Sequence, residues 1–109
     1  MLPNGDRAIV DLNKLAEYCL NPEHPRGRHK ARVFAATLGM TAENADLLQE
    51  ALLLAARTQP SVMAEGDDFG QRYVIDFPLD GPTGRADVRS AWIIRADEDF
   101  PRLTSCYVL

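Results

Sequence analysis

One hundred and nine residues, 46% of them apolar and 26% charged, fit one domain over 1–109 with a modest buried core. A formal net charge of −4 and a pI near 5.0 argue against a generic duplex-DNA binder, whose footprint is broadly basic, but leave room for a protein that grips one or two phosphates. No apolar run approaches membrane-spanning length, and the start MLPNGD lacks the n- and h-regions of a signal peptide. A cytoplasmic protein with no membrane partner is expected.

The opening MLPNGDRAIV reads as a turn and then a short extended stretch at Ala8, Ile9 and Val10. Asp11 is a good N-cap for a first helix from about Leu12 to Leu20, with Leu12, Leu15, Ala16 and Cys19 on one face. Asn21-Pro22 stops it, and His24-Pro25 and Gly27 keep the next residues irregular. A second helix is predicted from about Arg28 to Leu38, with Ala31, Phe34, Ala35 and Leu38 as its apolar stripe and Gly39 as its terminator. Thr41 caps a third, from about Ala42 to Arg57, whose wide stripe includes Ala45, Leu47, Leu48, Ala51, Leu52, Leu54 and Ala55.

After Pro60 the period changes. Ser61 to Glu65 reads as a short strand and GDDFG at 66 to 70 as a turn. Arg72 to Phe77 alternates, with Tyr73, Ile75 and Phe77 on one side. LDGPTG at 79 to 84 is a loop, and Asp87 to Arg95 alternates again. ADEDFP is an acidic turn. Arg102 to Val108 closes the chain, with Leu103, Ser105 and Tyr107 on one side and Thr104, Cys106 and Val108 on the other. Helices first and strands afterwards imply an α+β fold: about three N-terminal helices packed on an antiparallel meander of about four strands.

The stretch HPRGRHKAR at 24 to 32 carries both histidines, His24 and His29, four of the twelve basic residues and no acid. The other residues total eight basic against sixteen acidic, so a basic knot sits on an acidic body. Such a knot attracts a phosphate or a carboxylate. With Ala31 turned inward, Lys30 and Arg32 lie about a quarter-turn to either side and His29 faces outward, at ~100° per residue. Cations at a helix N-terminus oppose its dipole, and local rules tend to be broken at sites. The plainer reading is a solvated basic turn paired with Glu23 or another surface acid. Cys19 and Cys106 belong to no CxxC pair; two buried free thiols are expected, with a disulfide left open.

Several segments together, LNPEHPRGRHKARVFAATLGM at 20 to 40, YVIDFPLDGPTGR at 73 to 85, VRSAWII at 88 to 94 and PRLTSCY at 101 to 107, resemble a family of small bacterial domains of unknown function. The element order also resembles the barnase–EndoU–colicin–RelE-like ribonuclease toxins. Those place helices before a four-stranded antiparallel sheet, and collect a basic residue or histidine from the helical region and Arg, Ser/Thr or Tyr from the strands. Members of the first family often end in a Leu-Val-Thr-Ala-Tyr-Pro-like strand. Here that strand is Leu103 to Val108, with Ser105 replacing the threonine and no closing proline.

RNA cleavage without a metal needs a base for the 2′-hydroxyl, cations for the phosphoryl oxygens and an acid for the leaving oxygen. His24 or His29 offers an imidazole, Lys30 and Arg89 bind phosphate, Ser105 donates a hydrogen bond, and Tyr107 stacks a base or donates a proton. The expected catalytic set is therefore His24, Lys30, Arg89, Ser105 and Tyr107, with Arg26, Arg28, His29, Trp92 and Thr104 binding substrate. Each has a plainer reading. His24 is a loop histidine, Arg89 pairs with Asp76 or Asp87, Trp92 and Tyr107 are core or rim aromatics, and Ser105 bonds to backbone. HExxH, EF-hand, P-loop and GxSxG motifs are absent, and GDDFG lacks further ligands, so no metal or cofactor is expected. The implied function is a metal-independent endoribonuclease-like toxin domain, with RNA and a cognate inhibitor or immunity protein as partners. The alternative is a non-catalytic interaction module that docks through residues 24–32. Oligomeric state is left open.

Overall fold

A computed structural model of the chain describes residues 1–109. Asp11 acts as anticipated: its Oδ1 accepts from the backbone N–H of Asn13 at 2.9 Å and of Lys14 at 3.4 Å. Helix α1 (Leu12–Lys14) then widens into a π turn, Leu15–Cys19, closed by the Leu20 N–H on the Leu15 carbonyl at 2.9 Å. The predicted single α-helix is thus a short, wide one. The extra residue per turn brings Leu15, Cys19 and Leu20 together into the core, and leaves Leu12 exposed.

Helix α2 has the predicted bounds, Arg28–Leu38, and buries Ala31, Phe34 and Leu38. Ala35 does not join them; it is exposed and lines a groove. Gly39 ends the helix at φ 68°, a left-handed conformation that costs glycine nothing. The freed Leu38 carbonyl accepts from the Thr83 N–H at 3.1 Å, so the turn between the second and third strands is pinned to the end of α2. A 3₁₀ turn, Ala42–Asn44, leads into helix α3 (Ala45–Thr58). Its capping box is closed by Asn44, whose Oδ1 accepts from the Thr41 N–H at 3.0 Å. Helix α3 buries Ala45, Leu48, Leu52, Ala55 and Ala56, a narrower stripe than predicted: Leu47 and Leu54 are exposed.

Strands β1 (Val62–Asp67), β2 (Gly70–Asp80), β3 (Arg85–Arg95) and β4 (Pro101–Val108) form one antiparallel meander in the order β1-β2-β3-β4. The fold is α+β, as predicted. Ile75, Phe77, Val88, Trp92, Leu103 and Cys106 pack with Phe34, Leu48 and Leu52 in one hydrophobic cluster. Ser90 is the one buried polar residue: its hydroxyl donates to the Ile75 carbonyl and accepts from the Trp92 indole N–H, each at 2.9 Å. The first residues close the far side of β4, where Ile9 exchanges backbone bonds with Pro101 and Leu103 at 2.9 and 3.0 Å.

One sheet prediction is corrected. Ser105 opposes Ala91, but Leu103 opposes Trp92, so Thr104 is an extra residue in β4. This bulge breaks the period of two. Leu103 and Cys106 both turn to the core, while Ser105 and Tyr107 face away from it, so Leu103 does not share a side with Tyr107.

Candidate functional site at the β4 edge

Residues directly opposite in an antiparallel ladder share a face. On the face away from the core, the register sets out three rows across the sheet. They are Arg72–Ile93–Arg102, Val74–Ala91–Ser105 and Asp76–Arg89–Tyr107. The third row holds the charge chemistry. Arg89 donates from Nε and Nη2 to the two carboxylate oxygens of Asp76, each at 2.8 Å. Of the two acids considered for Arg89, Asp76 is the partner. The pair is about two-fifths exposed, so water screens it. Each member still holds the other in its charged form. Asp76 lies below the ordinary carboxylate range because of Arg89, and Arg89 is raised by Asp76 first and then by the adjoining Tyr107 hydroxyl.

Lys30 extends this row beyond the sheet. It stands in the first turn of α2, and its Nζ lies 4.8 Å from the centroid of the Tyr107 ring, within cation–π range. A continuous line therefore runs Asp76, Arg89, Tyr107, Lys30. Beside it, Pro60, Val62, Val74, Asp76 and Arg89 wall a cavity of about 450 Å³. Ser105, half-buried, is two residues from Tyr107 on the same face.

The elbow that delivers Lys30 is built by His24. Its Nδ1 accepts from the backbone N–H groups of Arg26 and Gly27 at 3.0 and 3.1 Å, and its carbonyl accepts from Arg28 N–H at 3.0 Å. With Nδ1 used as a double acceptor, the neutral ring carries its proton on Nε2. The ring also packs on Tyr18, centroids 4.6 Å apart. Gly27 is required there by close approach: a Cβ would stand 2.5 Å from the Tyr18 carbonyl oxygen. Arg26, Arg28 and His29 are exposed beyond this turn. Five arginines elsewhere, Arg7, Arg72, Arg85, Arg89 and Arg102, sit in ion pairs. No cation of residues 24–32 does, so the expected partner Glu23 is not used.

The structure thus joins Lys30, Arg89 and Tyr107, with Ser105 alongside. It does not place His24, Arg26, Arg28 or His29 in contact with that row. Two substrate-binding expectations are corrected. Trp92 is fully buried on the opposite face of the sheet, its indole committed to Ser90. Thr104 is taken up by the bulge, where its hydroxyl donates to the Ala91 carbonyl at 3.1 Å.

Lys14 and Asp76 had no place in the predicted site. Lys14 donates to the Thr104 carbonyl at 3.2 Å and so adds a cation beside β4. Tertiary packing, which the sequence does not spell out, sets Lys14 beside β4, and the register sets Asp76 opposite Arg89 on the neighbouring strand. No group of three or more His, Cys, Asp or Glu side chains is arranged to hold a metal ion. No helix is long and apolar enough to cross a membrane.

No curated protein and no solved structure matches the chain. The model of a family described as "Domain of unknown function (DUF6883)" matches residues 1–109, and the chain belongs to that family.

Proposed function

We propose that the domain is a metal-independent endoribonuclease of toxin type that engages single-stranded RNA along the β4 edge. One observation carries this reading. In an acidic protein, the cations of residues 24–32 have no carboxylate partners, and one of them, Lys30, reaches the Arg89–Tyr107 row. Unpaired charge of this kind favours a polyanion. Lys30 and the Arg89 Nη1 edge, which Asp76 leaves open, hold a bridging phosphate, and the exposed guanidinium groups of Arg26 and Arg28 guide its neighbours. The Ser105 hydroxyl donates to a phosphoryl oxygen.

His24 is ill suited to shuttle protons, because its Nδ1 is committed to the backbone. It serves as an Nε2–H donor, and the exposed His29 is the better base. In the step, His29 takes the 2′-hydroxyl proton and the 2′-oxygen attacks phosphorus. The bond from phosphorus to the 5′-oxygen breaks, and that oxygen takes the Tyr107 hydroxyl proton, which solvent replaces. The products are a 2′,3′-cyclic phosphate and a 5′-hydroxyl.

A second reading is favoured by the Arg89–Asp76 clasp and by the absence of His24, Lys30 and Tyr107 from the walls of the five principal cavities. In it, the basic elbow docks an acidic partner such as a cognate inhibitor and performs no chemistry.

Incubation of the purified protein with a panel of single-stranded RNAs in chelator separates the two. The ribonuclease reading expects cyclic-phosphate ends, a loss of about 100-fold or more in Lys30→Ala and Arg89→Ala, and growth arrest on expression. Intact RNA across the panel, with folded protein and normal growth, removes the enzyme and leaves the docking module.

A further inference from the structure

Helix α3 packs over β2, while α2 and Lys30 stand over β4, so the two helices serve different margins of the sheet. Helix α3 buries only part of its apolar surface. At ~100° per residue, Leu47, Ala51 and Leu54 fall within about 60° of one another. Leu47 and Leu54 are 46% and 52% exposed. Between this stripe and the end of β2 lie two adjoining hollows of about 410 and 140 Å³, which share Ala51, Leu54 and Leu79. Met40 walls the larger and Phe77 the smaller. The rim is acidic. Asp46 and Glu50 are exposed along one flank of the stripe and enter no ion pair, and Asp6 adjoins Glu50 across a neighbouring hollow. Asp80 stands on the other flank, held only by the exposed Arg85 at 3.6 Å. Arg57 is the one cation of α3. A lone exposed leucine is ordinary, but two leucines seven residues apart, beside hollows and under acids, form a surface of the kind that an incoming helix covers.

We propose that the groove between α3 and the end of β2 docks a cationic amphipathic helix of another protein. Two apolar anchors of that helix fill the hollows over Ala51, Leu54 and Leu79, and its lysines or arginines face Asp46, Glu50 and Asp80. Charge decides the occupant. A second copy seated face to face would set Asp46 and Glu50 of one chain around the same seam as those of the other, and like charges oppose that contact. An anionic lipid surface is repelled by the same acids. A basic helix gains both burial of the leucines and pairing of the free carboxylates. The docked helix leaves the β4 edge open, because α3 covers β2 and not β4.

The test is fluorescence anisotropy of a labelled synthetic peptide of about 18 residues, leucines at helical spacing on one face and lysines elsewhere, titrated with the full chain. The expected Kd is about 1–50 µM, weakening as salt rises. A peptide of the same composition with its leucines scattered round the helix binds at least about tenfold more weakly, and Leu54→Asp or Glu50→Lys in the protein costs a similar factor. Leu47→Asp repeats the measurement if Leu54→Asp fails to fold. The readout is independent of RNA cleavage. Equal affinity for the scattered peptide, unchanged affinity in both Leu54→Asp and Glu50→Lys, or no binding at about 200 µM protein would overturn the proposal. So would a wild-type dimer in light scattering that Leu54→Asp dissolves, which assigns the groove to a second copy. Binding to phosphatidylserine vesicles that the same variant abolishes overturns it too, and assigns the groove to a lipid surface.

Discussion

Ser90→Ala is the sharpest test of how the sheet is held in register under the site. The Ser90 hydroxyl is fully buried and joins two groups: it donates to the Ile75 carbonyl and accepts from the Trp92 indole N–H. Alanine fills nearly the same space, so the cavity contribution is small. The cost is electrostatic. The indole N–H is left unpaired in the core, at about 1–3 kcal/mol, and the bond to the Ile75 carbonyl adds about 0.5–1.5 kcal/mol. A total near 2–4 kcal/mol lowers the thermal midpoint by roughly 8–18 °C for a domain of this size.

Urea titration followed by far-ultraviolet circular dichroism measures the loss directly, and Trp92, the single tryptophan, reports it independently by fluorescence. The double variant Ser90→Ala/Trp92→Phe removes both ends of the indole bond. It should be less destabilised than the sum of its parts, with a coupling of about 1 kcal/mol or more. A loss below about 0.5 kcal/mol in Ser90→Ala, or strict additivity in the cycle, would refute the reasoning.

Gly27→Ala introduces a Cβ 2.5 Å from the Tyr18 carbonyl oxygen, so the elbow must shift. It should destabilise by more than about 1 kcal/mol in the same urea assay and weaken phosphate-dependent RNA binding; an unchanged midpoint would contradict the close approach. Acid sensitivity follows from carboxyls held low by arginines, Asp76 by Arg89 and Glu98 by Arg102. A depressed folded value gives stabilisation that is present above the ordinary carboxylate range and lost as pH falls through the folded value. The thermal midpoint should therefore be level near neutrality and drop below about pH 4. The gap between wild type and Asp76→Asn should narrow on that descent; a gap independent of pH would count against the clasp.

Punctuation and period were legible in the residues. Asp11 as a cap, Gly39 as a terminator and the bounds of α2 follow from local chemistry, and so does the change to strands after Pro60. Local rules do not carry the widening at Leu15–Cys19, which is fixed by what the turn packs against. Nor do they carry the bulge at Thr104, which reverses the side on which each later β4 residue emerges. The candidate site was half legible. Lys30, Arg89 and Tyr107 were picked for their chemistry and do meet. Trp92 was picked for the same reason, but strand parity buries it. Lys14 reaches Thr104 across 90 residues by tertiary pairing that no spacing rule encodes, whereas Asp76 was already one of the two acids considered for Arg89.

The pairing of Ile9 with the start of β4 also bears on assembly. Ile9 bonds to the first residues of that strand, and Lys14 occupies the Thr104 carbonyl. Polymerisation by strand addition needs two free margins on every subunit; here the start of β4 is covered and β1 is interrupted by a register shift between Ala64 and Asp67. Edge-to-edge growth through the native sheet is therefore disfavoured at both margins.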